Sequence, residues 1–425
     1  MREKIITYLK TIVPKSAVIN LTVPENDKFG HYSTNVAFTS GLSAEEIARK
    51  VRNKAPAGFF KKIEAAGGFV NFWISDGVLQ KEIGEILKRK KPAVAGAKAG
   101  KGKIQIEFVS ANPTGPLTLA NGRGGFLGDV LSNVLEAMGN EVEREYYVND
   151  TGNQIVTLGK SMTVALGLNL GQPADEKNLY KGEYVKKWAG SHKPLVKKYE
   201  KNLLKLGQFA AKDFLKDIKS ALKKSDISFD RWTSEERDIR KKSFTDKALK
   251  TFMAKKLVYK KDGATWLKTT AFGDDKDRVL VTSDGFPTYF LADAGHYLET
   301  KSRGFGKKIN ILGPDHFGYV RRIQAAAQIV GLKNSEIIVT QAVRLMEGGK
   351  EVKMSKRKGE FVMFQDLMSE VGVDAARFFF LMVSPDTHMD FDLALAKERS
   401  VKNPVYYVQY AYVRAINIIK RAPTT

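Results

Sequence analysis

The chain has 425 residues, of which 70 are Lys or Arg and 47 are Asp or Glu, so its formal net charge is +23. At roughly 150 residues per domain, this length suggests about three domains. A hydrophobic fraction of 43% with 28% charged residues is typical of a folded protein and excludes a disordered one. The absence of cysteine excludes disulfide scaffolds and cysteine nucleophiles. The excess of positive charge favours a polyanionic partner, either nucleic acid or an acidic membrane surface.

Residues 1–85 are predicted to form a small α+β module. Ser43 followed by Glu46 is a capping box that predicts the start of a helix. Residues 69–74 (FVNFWI) predict a strand after a Gly-Gly turn. Lys, Ala and Gly dominate residues 86–103, which indicates a flexible, solvated linker.

A strand, a turn rich in small residues and a helix follow the linker. The alternating stretch 104–109 predicts the strand, and Gly139 marks the end of the helix. This order opens a nucleotide-binding α/β fold, although the glycines do not match the dinucleotide-binding pattern. A Lys-rich helical pattern interrupts it over about residues 160–275. We therefore predict a split Rossmann-like domain over 104–345 that carries a helical insertion.

Two segments have patterns that point to chemistry. Residues 112–123 (NPTGPLTLANGR) lie between the strand and the helix, where backbone N–H groups offer a site for phosphate. A tight structural turn is the alternative for this segment. Residues 353–359 (KMSKRKG) place four cations within six residues, and such a loop can neutralise charge on a leaving phosphate.

These two segments resemble the two signatures of class I aminoacyl-tRNA synthetases. Other stretches resemble the arginyl-tRNA synthetases in particular, among them GHYSTNVAF, SANPTGPL, EYYVNDTGNQ, GFPTYFLAD, GPDHFGYVRR and KMSKRKGEFV. The resemblance implies an enzyme that makes arginyl-adenylate from arginine and Mg²⁺-ATP and then esterifies tRNA(Arg). It implies no tightly bound cofactor and no membrane partner, and we expect a monomer.

The arginine site is predicted partly from the residues and partly from the resemblance. A guanidinium needs a carboxylate and favours an aromatic face, and Tyr289 and Asp293 share a face of a predicted helix. Asp315 follows another predicted strand, where open α/β sheets bind ligands. The resemblance implies that Glu107, Ser110 and Asn112 hold the α-amino and carboxylate groups of the substrate. The predicted arginine-binding residues are Glu107, Ser110, Asn112, Tyr289, Asp293 and Asp315.

ATP is assigned to the two signatures. The predicted catalytic residues are Thr118, Asn121, Lys353 and Lys356, and the predicted ATP-binding residues are Pro113, Gly115, Leu119, Ala120, Gly122, Met354 and Ser355. The first signature departs from the His-x-Gly-His of the family, since residues 118–121 read Thr-Leu-Ala-Asn. Thr and Asn still offer neutral donors, as the Thr-x-Gly-Asn of tryptophanyl relatives does, but Ala120 adds a methyl group where adenine packs.

The remaining regions are assigned by the resemblance. The first module resembles the family's domain that grips the tRNA elbow, and its predicted tRNA-binding residues are Tyr32, Asn35, Asn71 and Phe72. A buried strand is the alternative for Phe72. Residues 346–398 are predicted to hold the second signature and a connecting region, and 399–425 the first helix of an anticodon-binding domain that is otherwise missing.

Two alternative functions stay open at this point. The histidine-free first signature suggests a catalytically impaired tRNA-binding paralogue, and the short anticodon-binding region suggests a fragment of the enzyme. The first signature also suggests a tryptophanyl-type class I enzyme, although the acidic residues Asp293 and Glu107 argue against that alternative. The sequence shows no secretory signal, no His pair with zinc-binding spacing and no apolar run near the roughly 20 residues of a membrane span. We therefore expect a cytoplasmic protein without a metal site.

Overall fold

The computed structural model describes residues 1–24, 26–88, 102–168, 178–352 and 363–421. The chain divides into two compact units. The first unit is Met1–Gly100 with Ala137–Gly139, and the second is Lys101–Glu136 with Asn140–Thr425.

The first unit is an α+β module built on one antiparallel sheet, as predicted. Its helices are Arg2–Lys10 (α1), Ala37–Ser40 (α2), Ala44–Lys54 (α3) and Asp76–Lys88 (α4). Its strands are Leu21–Thr22 (β1), Tyr32–Thr34 (β2), Phe60–Ala66 (β3) and Phe69–Ile74 (β4), in the order β1-β2-β4-β3. Ser43 caps α3, since its side chain accepts a hydrogen bond from the backbone N–H of Glu46 at 3.1 Å. The expected capping signal is therefore confirmed.

The second unit contains a parallel sheet and two smaller sheets. Its strands are Lys103–Glu107 (β5), Glu141–Val148 (β6), Arg231–Ser234 (β7), Val258–Lys261 (β8), Ala264–Leu267 (β9), Arg278–Val281 (β10), Lys307–Leu312 (β11), Asn334–Val339 (β12), Val343–Glu347 (β13), Lys350–Glu351 (β14) and Met389–Asp392 (β15). The five strands of the main sheet are all parallel, in the order β12-β11-β5-β6-β7. Their carboxyl ends therefore lie along one edge, where such sheets bind ligands.

The second unit also contains helices, numbered α5 to α16 in chain order. They are Leu119–Ala137 (α5), Asn153–Ala165 (α6), Glu183–Ser191 (α7), Lys193–Tyr199 (α8), Leu203–Lys224 (α9), Phe244–Ala254 (α10), Tyr289–Ser302 (α11), Val320–Val330 (α12), Phe364–Val371 (α13), Val373–Met382 (α14), Leu393–Lys397 (α15) and Pro404–Arg421 (α16). Short 3₁₀ turns cover Asp27–Phe29, Thr270–Phe272 and Pro314–Tyr319, and Glu235–Arg240 forms one π-helical turn. Within the described ranges, these helices are too short or too polar to cross a membrane.

The predicted helical insertion over residues 160–275 differs from the observed structure. Helices α7, α8 and α9 lie in this range, but so does β7, which pairs with β6 in the parallel sheet. Strands β8 and β9 also lie there and form a separate antiparallel sheet with β10. The four residues of β7 are too few for a periodic pattern, so pairing with a distant strand decides their conformation.

Helix α5 lies unusually close to its neighbours. A Cβ atom added to Gly122 would lie 2.4 Å from the Phe364 ring, and one added to Gly128 would lie 2.2 Å from the Phe108 ring. Both glycines therefore permit close packing: Gly122 brings α5 against α13, and Gly128 brings it against Phe108, the residue after β5.

Candidate active site

A cleft of about 1900 Å³ opens along the carboxyl edge of the parallel sheet. Its walls include residues at or just after the end of each strand of that sheet, namely Glu107, Tyr147, Glu235, Leu312 and Thr340. Helices α5, α7 and α11 contribute further side chains. The cleft occupies the position where an open α/β sheet binds its ligand.

One end of the cleft, which we call the acidic end, contains the carboxylates of Glu107, Glu235 and Asp293. The pKa of Asp293 is raised to about 7, chiefly by burial and also by the nearby carboxylates of Glu235 and Glu107. The Tyr319 hydroxyl opposes this shift by donating a hydrogen bond to Asp293 Oδ2 at 2.8 Å. Such an end has an excess of negative charge that a cationic ligand would balance.

Glu235 is a component of this end that the sequence did not single out. It is almost fully buried, and burial raises its pKa although Arg240 Nε donates to its Oε1 at 2.7 Å. It follows β7 directly, inside the stretch predicted to be a helical insertion. Only the observed pairing of β7 could have identified it.

Tyr289 and Asp293 lie on α11, as their spacing predicted, and both side chains line the cleft. Tyr289 is 45% exposed, so the face of its ring is available to a ligand. Asp315 also lines the cleft but is exposed, with its carboxylate 3.5 Å from His316 Nε2. The structure therefore brings the first two residues together at the acidic end and leaves Asp315 in solvent.

Glu107 and Ser110 form a bonded pair at the end of β5. Ser110 Oγ donates to Glu107 Oε1 at 3.1 Å and accepts from the backbone N–H of Tyr147 at 3.0 Å. Val109 and Ser110 have φ angles of 64° and 37°, an uncommon conformation for a β-branched residue such as valine. This strained turn directs the chain from β5 to Asn112, which is exposed in the cleft wall.

The first signature also lines the cleft, and we call Thr118 and Asn121 the neutral end. The backbone N–H and the hydroxyl of Thr118 both donate to Asn121 Oδ1, at 2.9 Å and 3.0 Å. A backbone N–H can only donate, so the amide atom facing it is the oxygen. The Asn121 NH₂ group therefore points away from Thr118 and is a donor available to a ligand.

Three exposed lysines, Lys181, Lys186 and Lys187, line the cleft beside Tyr180 and Tyr184. They belong to α7 and the segment before it, within the range predicted as a Lys-rich insertion. The cleft thus has a cationic wall as well as an acidic end. This arrangement suits a ligand with a positive group at one point and phosphates at another.

Two family descriptions match the chain. Residues 82–380 match "tRNA synthetases class I (R), catalytic domain", and residues 1–74 match "Arginyl tRNA synthetase N terminal domain". The chain belongs to the class I arginyl-tRNA synthetases. The predicted fold class, a Rossmann-like α/β domain after an N-terminal module, is confirmed by the parallel sheet and by these matches.

This synthetase is similar to known relatives over nearly its whole length. It is 41% identical to the arginine–tRNA ligase of Anoxybacillus flavithermus, covering 99% of this chain and 80% of the relative. It is 39% identical to that of Shouchella clausii, covering 94% of this chain and 75% of the relative. The solved structure of Thermus thermophilus arginyl-tRNA synthetase has the same fold, with a TM-score of 0.73, 19% identity and coverage of 100% of this chain and 82% of that one.

The residues predicted to bind ATP in this synthetase differ in whether they line the cleft. Gly115 and Ala120 line the cleft, but Pro113, Leu119 and Gly122 do not. Leu119 belongs to the hydrophobic core, and Gly122 is needed because Phe364 lies against it. The predicted residues of the second signature, Lys353, Met354, Ser355 and Lys356, lie outside the described residues.

The predicted tRNA-binding residues of this synthetase differ in exposure. Phe72 is fully buried and packs against Phe60 with ring centroids 5.4 Å apart, so its ring is not available to stack on a base. Asn71 is also buried and accepts a hydrogen bond from Ser33 Oγ at 2.7 Å. Tyr32 and Asn35 are partly exposed. The motif around Asn71 and Phe72 therefore builds the core of the first unit.

Proposed function

We propose that the acidic end of the cleft binds the guanidinium of L-arginine between Asp293, Glu235 and the ring of Tyr289. As a member of its family, the chain is an arginine–tRNA ligase that uses ATP. The supporting observation is the raised pKa of Asp293 beside two further carboxylates, because a guanidinium is the cation that such a group pairs with best. The unpartnered amide oxygen of Asn149, buried in the cleft wall, offers a further acceptor.

The backbone of the substrate is assigned to the end of β5. Glu107, Ser110 and Asn112 lie within six residues of chain and all line the cleft. A carboxylate and two neutral polar groups suit an α-ammonium group and an α-carboxylate. This orientation places the α-carboxylate of arginine toward α5, where the first signature begins.

ATP, bound with Mg²⁺ as its substrate complex, is assigned to the N-terminus of α5. Gly115, Ala120 and the backbone N–H groups of the first turn lie in the cleft there, and the Asn121 amide supplies a neutral donor. A carboxylate oxygen of arginine attacks the α-phosphorus, the bond from that phosphorus to the bridging oxygen breaks, and pyrophosphate leaves. Lys353 and Lys356 of the second signature are proposed to balance its charge.

Esterification follows from the same site. A ribose hydroxyl at the 3′ end of tRNA(Arg) attacks the carbonyl carbon of arginyl-adenylate, the hydroxyl proton is released and AMP leaves. The exposed lysines Lys181, Lys186 and Lys187 are proposed to contact the phosphates of the acceptor end.

We also propose the domain limits predicted from the sequence. These are 1–85 as the tRNA-elbow module with Tyr32 and Asn35 as contacts, 86–103 as a linker, 104–345 as the catalytic domain, 346–398 as the connecting region and 399–425 as the start of an anticodon-binding domain. We also propose a cytoplasmic monomer.

The decisive experiment is ATP–pyrophosphate exchange with arginine, measured with and without tRNA(Arg). We expect arginine-dependent exchange that requires the tRNA, as the family resemblance implies, and none with tryptophan. Exchange with tryptophan would establish the tryptophanyl-type alternative. Absence of exchange with either amino acid, together with retained tRNA binding, would establish an impaired paralogue.

A further inference from the structure

A buried lysine lies at the centre of a cluster of acidic and imidazole groups behind the acidic end. Lys308 is on β11 and is completely buried. Its Nζ lies 2.9 Å from Glu107 Oε2, 3.1 Å from Glu145 Oε2 and 3.1 Å from His296 Nε2. Glu145 is equally buried and His296 nearly so. One ammonium group thus contacts three side chains from three other elements, β5, β6 and α11.

This cluster has the composition of a metal site but already contains a cation. Glu107, Glu145 and His296 each offer a ligand atom, and these atoms lie within 4.8 Å of one another. The Lys308 ammonium occupies the space among them and has the distances of strong charge-assisted hydrogen bonds. The two carboxylates raise the pKa of Lys308 in spite of its burial, so the ammonium stays charged.

The cluster determines which oxygen of Glu107 faces the ligand. Oε2 is bonded twice, by Lys308 Nζ at 2.9 Å and by Asn310 Nδ2 at 2.6 Å. Among the described residues, Oε1 is bonded only by Ser110 Oγ at 3.1 Å. Glu107 lines the cleft, whereas Lys308 is fully buried behind it. Oε1 is therefore the carboxylate oxygen that can still accept a hydrogen bond from the ligand.

We propose that Lys308 is a positioning residue for arginine binding, acting as a built-in cation that fixes Glu107 Oε2 so that Oε1 receives the α-ammonium group of the substrate. This inference rests on the role proposed above for Glu107. Lys308 does not touch the substrate, and it takes the place that a divalent ion would fill in a cluster of this composition. His296 belongs to α11 together with Asp293, so the same ammonium also ties the helix of the guanidinium site to the sheet.

A purely structural ion pair is the competing interpretation, and the variants must separate the two. Removing Lys308 alone would leave two buried carboxylates without a cation and would destabilise the fold. The test therefore compares Glu145→Gln with the double variant Glu145→Gln, Lys308→Met, in which one charge of each sign is removed. The matched control is Asp129→Asn with Arg377→Met, which removes another partly buried pair, at 2.6 Å, whose residues do not line the cleft.

ATP–pyrophosphate exchange in the presence of tRNA(Arg) gives separate KM values for arginine and for ATP. Relative to Glu145→Gln, we expect the double variant to raise the arginine KM by about tenfold, because Glu107 loses the charge-assisted contact that holds it in place. The ATP KM should rise by less than about twofold. The Asp129→Asn, Arg377→Met control should lower the thermal midpoint without changing the arginine KM. An arginine KM in the double variant equal to that of Glu145→Gln would overturn the inference.

Glu107→Gln separates a failure of this inference from a failure of the proposed site. If Glu107→Gln raises the arginine KM and the double variant does not, the inference about Lys308 alone is overturned. If Glu107→Gln leaves the arginine KM unchanged, the assignment of Glu107 fails and the inference fails with it. A rise in both variants, confined to arginine, supports the positioning role.

Discussion

The acidic end and the neutral end of the cleft hold their polar groups in different ways. At the acidic end, Asp293, Glu235 and Glu107 come from three distant parts of the chain, and burial displaces the pKa of two of them. At the neutral end, Thr118 and Asn121 are three residues apart and bond to each other within one helical turn. Under the proposed assignment, amino-acid recognition at the acidic end would depend on long-range assembly and on pH, whereas phosphate binding at the neutral end would depend on local geometry.

The largest effect expected from this difference is that of Asp293→Asn. The amide cannot balance a guanidinium, so kcat/KM for arginine should fall by about 100-fold, the equivalent of one charged hydrogen bond. The ATP KM should stay within about twofold, because the neutral end is intact. Asp374→Asn, at an exposed position on α14 outside the cleft, is the matched control in the exchange assay. Equal losses for both substrates would contradict a separation of the two ends.

The affinity for arginine should depend on pH. Because the pKa of Asp293 is about 7 in the free enzyme, the carboxyl is protonated below that value and must lose its proton before it pairs with the guanidinium. The Kd for arginine should therefore rise toward tenfold per pH unit below about 7 and reach a plateau above it. Calorimetry between pH 5.5 and 8.5 measures this, and ATP binding by the same method is the reference.

The pKa of Asp293 depends on the charged and polar groups that face it. Glu235 and Glu107 raise its pKa, while Tyr319 and His296 lower it. An arginine Kd that is flat across this range would show that Asp293 does not carry the binding charge.

Substitutions at the neutral end should lower kcat and leave the affinity for arginine unchanged. Asn121→Ala removes the donor and should lower kcat of exchange by about tenfold, the loss of one neutral hydrogen bond, with arginine affinity unchanged. Thr118→Val keeps the backbone N–H bond to Asn121 Oδ1 and should cost only about threefold. Neither loss should vary with pH between 6 and 8, since no group at this end titrates there. A fall in arginine affinity in Asn121→Ala would contradict the separation.

The smallest effect is that of Tyr319→Phe. Its hydroxyl is the hydrogen-bond donor that lowers the pKa of Asp293, so its removal should raise that pKa and move the pH midpoint of arginine binding upward. At pH 7 the Kd should rise by about twofold, and at pH 8.5 it should match the wild type. The same calorimetric series detects the shift, and a midpoint that moves downward would contradict it.

The sequence predicted the local elements of this site better than its long-range contacts. The strand and helix around residues 103–137 and the shared face of Tyr289 and Asp293 follow from periodicity, and both are observed. Glu235 could not be identified, because SEER within a Lys-rich stretch has the pattern of a solvated helix. Lys308 looks like a surface lysine until β11 is known to be an inner strand of the sheet.

Gly122 and Phe72 each matched a family motif and were assigned to a ligand, but packing also constrains both positions. Gly122 leaves room for the ring of Phe364, and the buried ring of Phe72 packs against Phe60. A motif indicates that a position requires a particular residue type, either for ligand binding or for packing. Whether the need arises from a ligand or from the core depends on burial, which one sequence does not show.

The order of the strands has a consequence for biosynthesis. Strand β5 pairs with β6 soon after it along the chain, but its other neighbour, β11, begins about two hundred residues later, with Lys307 opposite Ile104. Glu107 therefore meets Lys308 and Asn310 only after α11 and β11 have been translated. While the chain is still emerging from the ribosome, one edge of β5 has no partner strand and Glu107 has no contact with Lys308. Contacts between residues this far apart in sequence form slowly. A nascent chain that stops before β11 therefore lacks the contacts that hold Glu107, the residue proposed to bind the amino acid.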